Sequence, residues 1–124
     1  MAFNTLKNWK YALLLGACVL SASAYAAHTP TGLEGHWSGT LPVGAEVTEA
    51  EITLDDYGCW AGTLKKIGGV DVGLYAVKDG QLELRTTEGL VVRTFVIGED
   101  KHLYLVRDGV ATKKGDACCS FYKD

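Results

Sequence analysis

Leu33-Glu34-Gly35-His36-Trp37-Ser38-Gly39-Thr40-Leu41-Pro42 holds a Gly-x-Trp, a strict alternation, a second glycine and a terminating proline. In an extended chain successive side chains point to opposite faces, so Gly35, Trp37, Gly39 and Leu41 share one face. His36, Ser38 and Thr40 share the other. Pro42 has no N–H to give a ladder and marks the strand's end. This first strand, Glu34 to Leu41, sets the pattern for everything that follows it.

Downstream, strand and turn signals repeat at short intervals. Val47 to Leu54 alternates Ala50, Ile52 and Leu54 with Glu51, Thr53 and Asp55, a half-buried pattern. Asp55-Asp56-Tyr57-Gly58 turns the chain into Cys59 to Ile67, closed by Gly68-Gly69. Val70 to Lys78 ends at Asp79-Gly80, a strong hairpin signal. Gln81 to Thr86, Leu90 to Ile97 and His102 to Val106 follow, separated by Glu88-Gly89 and Gly98-Glu99-Asp100. Leu90 to Ile97 is a nearly continuous β-branched run broken by Arg93. After Arg107-Asp108-Gly109, the segments Val110–Lys114 and Ala117–Tyr122 add one or two short strands.

Apolar residues nowhere recur at helical spacing over three turns. Seven to eight short strands at regular spacing predict an all-β fold, an antiparallel meander. Closing that meander removes its exposed edges, so the expected architecture is a small up-and-down barrel spanning residues 27–124 as one domain. Trp37, Trp60, Leu64, Leu74, Leu84, Phe95 and Leu105 are the expected filling.

Upstream, residues 1–26 read as a secretory signal. Lys7 and Lys10 precede a ten-residue apolar core, and Ala24-Tyr25-Ala26 fits a small-residue cleavage site. That core is short for a bilayer-spanning helix. Cleavage after Ala26 would leave a periplasmic or secreted protein beginning at Ala27. The alternative is an outer-membrane lipoprotein, since Leu15-Gly16-Ala17-Cys18 is similar to a bacterial lipobox. The small-residue run after Cys18 favours cleavage at Ala26, and membrane contact is expected only if Cys18 is lipidated.

The chain has 124 residues, 48% of them apolar and 22% charged, with a formal net charge of −3. Loss of the leader removes two lysines and leaves ten basic side chains against fifteen acidic ones, a balance of −5. Nucleic acid is therefore not an expected partner, because phosphate binding needs clustered Lys and Arg.

Four cysteines occur, and Cys18 leaves with the signal. In an oxidising compartment Cys59, Cys118 and Cys119 make one bridge and one spare thiol. Cys118 and Cys119 face opposite ways on a strand, so the expected structural disulfide joins Cys59 to one of them. Such a clamp would contribute about 3–4 kcal/mol by restricting the unfolded chain. The sharper alternative is a soft-metal cluster of Cys59, Cys118 and Cys119 with His36 or His102, although no pair has C-x-x-C or H-x-x-x-H spacing. The expected metal and cofactor content is none.

No catalytic residue is assigned. Ser38 and Ser120 are the only serines after the leader, neither in G-x-S-x-G. Asp55-Asp56 and Glu99-Asp100 fall at turns, where Asp commonly bonds its own backbone. A non-enzymatic protein is expected.

Two resemblances add to this. Gly35-x-Trp37 opening an antiparallel barrel is similar to the lipocalin start. Gly39-Thr40-Leu41-Pro42, Ala50-Glu-Ile-Thr-Leu-Asp-Asp-Tyr-Gly58 and Phe95-Val-Ile-Gly-Glu-Asp-Lys-His-Leu-Tyr-Leu-Val-Arg-Asp-Gly109 resemble the N-terminal domain of the NlpE lipoproteins. That family is linked to copper resistance, adhesion and envelope-stress signalling. The resemblance implies a barrel in the cell envelope acting as a stress, homeostasis or protein-interaction module, with an envelope protein as partner. The family follows its Leu-Pro with C-x-x-C, where this chain has Val43 and Glu46, so its copper role is not carried over. Alternatives are a small-ligand carrier and copper binding through the C-terminal cysteines.

Overall fold

A computed structural model describes residues Thr31 to Asp124. The readings of the leader, including Cys18 and the Ala26 cleavage site, lie outside these residues.

Nine strands follow one another: β1 (Gly35–Val43), β2 (Glu46–Leu54), β3 (Cys59–Leu64), β4 (Asp71–Lys78), β5 (Gln81–Arg85), β6 (Val91–Ile97), β7 (Leu103–Arg107), β8 (Val110–Ala111) and β9 (Ser120–Lys123). Every pairing is antiparallel, and β1 to β6 form a meander. β6 pairs with β7, β7 with β9 and β9 with β1, closing an eight-stranded barrel. β8 is an extra two-residue strand on β7.

The turns form where local chemistry allows positive φ. Asp79-Gly80 has φ of 53° and 75°, and Gly68-Gly69 has 78° and 73°. At the latter, Ile67 and Gly68 both donate to the Leu64 carbonyl, at 3.2 and 2.8 Å. The chain curls there, so β3 stops at Leu64 and not at Ile67 as its residue pattern predicts. β1 runs through Pro42, which pairs opposite Val47, to Val43 and so extends past the end that the proline predicts. Beyond Gly39 it has no β9 partner, so the missing N–H is tolerated.

The interior is packed. Trp37, Leu54, Leu82, Leu84, Phe95, Leu103 and Phe121 are all under 2% exposed. Phe95 and Phe121 meet edge-to-face, with centroids 5.5 Å apart and planes at 86°, which adds about 0.5–1.5 kcal/mol beyond burial. Leu74, an expected interior residue, faces outward. It pairs with Cys59, one residue out of phase with inward Trp60, and packs with Cys59, Ala61, Val70 and Val72. A one-residue difference in phase decides the face.

The barrel's two ends differ. The segment Thr31–Glu34 covers one end: the Trp37 indole N–H donates to the Leu33 carbonyl at 2.8 Å, and Leu33 is buried. The Glu34 carboxylate accepts from Thr31 N at 2.9 Å, Thr31 Oγ1 at 2.7 Å and Gly32 N at 2.9 Å. The Tyr75 hydroxyl lies 2.6 Å from the Asp55 carbonyl and 3.1 Å from Glu34. Burial alone would raise the Glu34 pKa. The hydrogen bonds from Thr31, its own backbone and Tyr75 outweigh that and bring it from 4.5 to about 2. Burial, then Glu34's charge, holds the Tyr75 phenol above its ordinary range.

A carboxylate with a depressed folded pKa stabilises the fold above its unfolded pKa. Glu34's contribution is therefore intact above about 4.5 and is lost as pH falls towards 2. The expected result is that Glu34→Gln melts below wild type at pH 7, with the gap closing across that window. Thermal melts of both proteins at a series of pH values check it.

Candidate functional site

The turns β1–β2, β3–β4, β5–β6 and β7–β8 all lie at the end opposite the Leu33 plug, as the alternating strand directions require. Their apolar residues are uncovered. Ile67 is 65% exposed, Leu90 66% and Val110 66%, with Val47, Val91 and Val92 about half exposed. Ile67 and Leu90 lie in the turns themselves, and Val47, Val91, Val92 and Val110 at the strand ends beside them, so large exposed apolar side chains are grouped at this end.

Inside this rim lies a cavity of about 290 Å³. Trp60, Leu64, Leu84 and Ile52 contribute its apolar wall, and Glu51, Asp71 and Arg93 are its charged residues. The Glu51 carboxylate is turned to His36, 3.5 Å from Nε2. Trp60 is held by its indole N–H, which donates to the Arg85 carbonyl at 2.8 Å. That carbonyl lies where the β5–β6 register shifts at Leu84/Arg85. A Cβ on Gly73 would sit 1.9 Å from the Arg85 oxygen and 2.7 Å from Trp60 Nε1, so only glycine fits against this bond.

Arg93 pairs opposite inward-facing Leu84 and so points to the barrel interior. It is half-buried, and its side chain makes no hydrogen bond or ion pair among the described residues. Burial lowers its pKa and the nearby Asp71 carboxylate acts the other way, leaving it charged.

The residues singled out from sequence fall elsewhere. Gly35, Trp37, Gly39, Leu41 and Pro42 all lie on β1, with Trp37 and Leu41 in the core. Cys118 and Cys119 are joined to each other, and neither is joined to Cys59. The expected clamp from Cys59 to the C-terminus is thereby corrected. Cys119 packs in the barrel core, whereas Cys59 belongs to the cluster on the opposite face of β3. β2 and β1 also intervene between β3 and β9. Three steps of about 4.8 Å place the strands roughly 14 Å apart, beyond the ~7 Å Cα limit for a bridge.

His36 sits on β1 with Nδ1 3.0 Å from Thr53 Oγ1, and with Nε2 3.3 Å from Asp124 and 3.5 Å from Glu51. Ser38 Oγ donates to the same Asp124 at 3.1 Å. Carboxylate thus lies between serine and histidine, and the hydroxyl does not face a base as nucleophilic catalysis requires. His102 lies before β7, its Nδ1 3.6 Å from Asp100. Among the described residues no group of three or more His, Cys, Asp and Glu side chains is placed to hold a metal. The turn carboxylates bond backbone as expected: Asp55 Oδ1 accepts from Tyr57 N and Cys59 N, both at 2.8 Å, and Asp100 Oδ1 from His102 N at 3.0 Å.

Tryptic digestion without reduction checks the cysteine pairing. The peptide Gly115–Lys123 carries both C-terminal cysteines. It is expected as an isolated species lighter than its reduced form by one pair of hydrogens. Recovery of that peptide cross-linked to the one bearing Cys59 would restore the clamp.

Sequence reading missed the open end. Its signal was Arg93, a lone charge at an inward position of an apolar strand. Comparisons with protein-family models, curated proteins and solved structures found no match.

Proposed function

We propose that this protein is a non-enzymatic, exported cell-envelope module that binds a protein partner end-on, through the open end of its barrel. The observation that carries this reading is the asymmetry of the two ends. One is covered by Leu33 and a hydrogen-bonded polar network, with Tyr57 exposed on its β2–β3 turn, and the other displays the aliphatic side chains of Ile67, Leu90 and Val110. The filled interior favours a module over a carrier of large cargo, because Phe95 and Phe121 are fully buried and pack edge-to-face inside the barrel. The resemblance to the NlpE N-terminal domain and the signal-like leader support placement in the bacterial envelope, periplasmic or secreted, or lipid-anchored if Cys18 is modified. Copper is no part of this reading, since Val43 and Glu46 replace that family's cysteines.

Lysine at positions 67, 90 and 110 tests it. These side chains are more than half exposed, so Ile67→Lys, Leu90→Lys and Val110→Lys are expected to leave the melting temperature within a few degrees of wild type. The triple variant is expected to lose the protein that wild type retains when recovered from the envelope under native conditions. Retention by the triple variant of every protein recovered with wild type would overturn end-on binding.

A further inference from the structure

We infer that the cleft at the open end binds a small amphipathic carboxylate, its apolar body against Trp60, Leu64 and Leu84 and its acid on Arg93. This goes beyond the proposed protein contact and does not depend on it.

The argument starts from the guanidinium. Arg93 carries five N–H donors in a planar fork, is half-buried, and has no hydrogen-bond acceptor among the described residues. The donors stay open to the cleft's water and are not spent on protein acceptors, so an incoming carboxylate displaces water without breaking a protein contact, and the apolar wall beside them strengthens the charge-assisted bond. A carboxylate fits the fork with two parallel hydrogen bonds.

The neighbourhood sets the charge. Asp71 lines the same cleft and its field is felt at Arg93, but the two form no ion pair. Two acidic residues line the cleft, but the Glu51 carboxylate faces His36 and Asp71 is the one whose field reaches Arg93. A single guanidinium can then hold a monoanion, and a dianionic phosphate would meet carboxylate repulsion without a second cation. Size sets the body. About 290 Å³ is at the lower bound of small-molecule pockets, and its buried wall is Ile52, Trp60 and Leu84. An apolar chain or ring of modest length fills it. The exposed rim at Ile67 gives such a ligand an apolar approach.

Decanoate is the probe, used below its micellar concentration on the full chain as processed and purified from the cell. Trp60 fluorescence and calorimetry read binding. Saturable one-to-one binding is expected, at least tenfold tighter than that of decanol and of decyltrimethylammonium. Arg93→Gln is expected to weaken decanoate at least tenfold while leaving decanol unchanged. Asp71→Asn, at an exposed position, is expected to tighten decanoate several-fold. That variant keeps the inference falsifiable if Arg93→Gln fails to fold. No saturable decanoate binding, equal affinity for decanoate and decanol, or Asp71→Asn without effect would overturn it. Loss of a protein partner on rim substitution would leave these ligand results unmoved, so the two readings fail separately.

Discussion

Replacing Gly39 by valine is expected to prevent the barrel from closing. A Cβ at this position would lie 2.1 Å from the Ser120 carbonyl oxygen and 2.7 Å from the Phe121 ring. The nearest atom is backbone, which cannot swing aside as a flexible side chain would. Gly39 is also where β1 meets β9, a contact of only three paired residues from Trp37 to Gly39. β9 meets β7 over two more, so the closing seam has little pairing to spare. Overpacking a well-filled core typically costs about 1–3 kcal/mol, and this clash falls on the seam itself, so at least ~3 kcal/mol is expected. That is a large share of the ~5–15 kcal/mol that holds a small domain. Gly44→Asn is the control, since Gly44 has φ of 61° and open space around it, and Asn tolerates that conformation. Urea unfolding should show Gly39→Val unfolded or nearly so without denaturant and Gly44→Asn close to wild type. A stable Gly39→Val barrel would mean that β9 does not sit against β1.

Trp37→Ala has the second largest expected effect, a loss of about 3–5 kcal/mol. Trp37 is 1% exposed and fills the covered end of the barrel. Its indole N–H also satisfies the buried Leu33 carbonyl at 2.8 Å, so truncation both opens a cavity and leaves that oxygen unpaired. Trp37→Phe separates the two contributions. It keeps most of the packing and loses the hydrogen bond, for an expected cost of about 1–3 kcal/mol. Chemical denaturation of the three proteins gives the series. If alanine and phenylalanine cost the same, packing at this end is not what holds it.

Much of this fold is written in short-range pattern. Alternation along Gly35 to Leu41 gives the inward face that the structure has, and the glycine-containing turns at 68–69 and 79–80 adopt the positive φ values that such residues permit. The all-β closed barrel follows from strand spacing and from the need to remove edges. What joins distant parts of the chain was less legible. β9 closes the barrel between β1 and β7, yet Ser120 to Lys123 carries no local mark of those partners. Leu74 reads as interior because it is large and apolar, but its phase opposite Cys59 turns it outward. The cysteines misled for a related reason: compartment logic counts thiols, and only three-dimensional distance shows that β2 and β1 separate Cys59 from the C-terminal pair. Arg93 was visible as a break in a β-branched run. Its meaning came only when the register placed it inward, beside Trp60 and Asp71 in one cleft.

Photo-crosslinking in living cells tests the central claim most directly. A crosslinking amino acid is placed singly at Leu90 and Val110 on the open end, and at Tyr57 and Asp79 on turns of the covered end. All four positions are exposed, so each reports on what approaches it. End-on binding predicts a discrete crosslinked protein from Leu90 and Val110 and none from Tyr57 and Asp79. Crosslinks from the covered end, or of equal strength from all four positions, would contradict it.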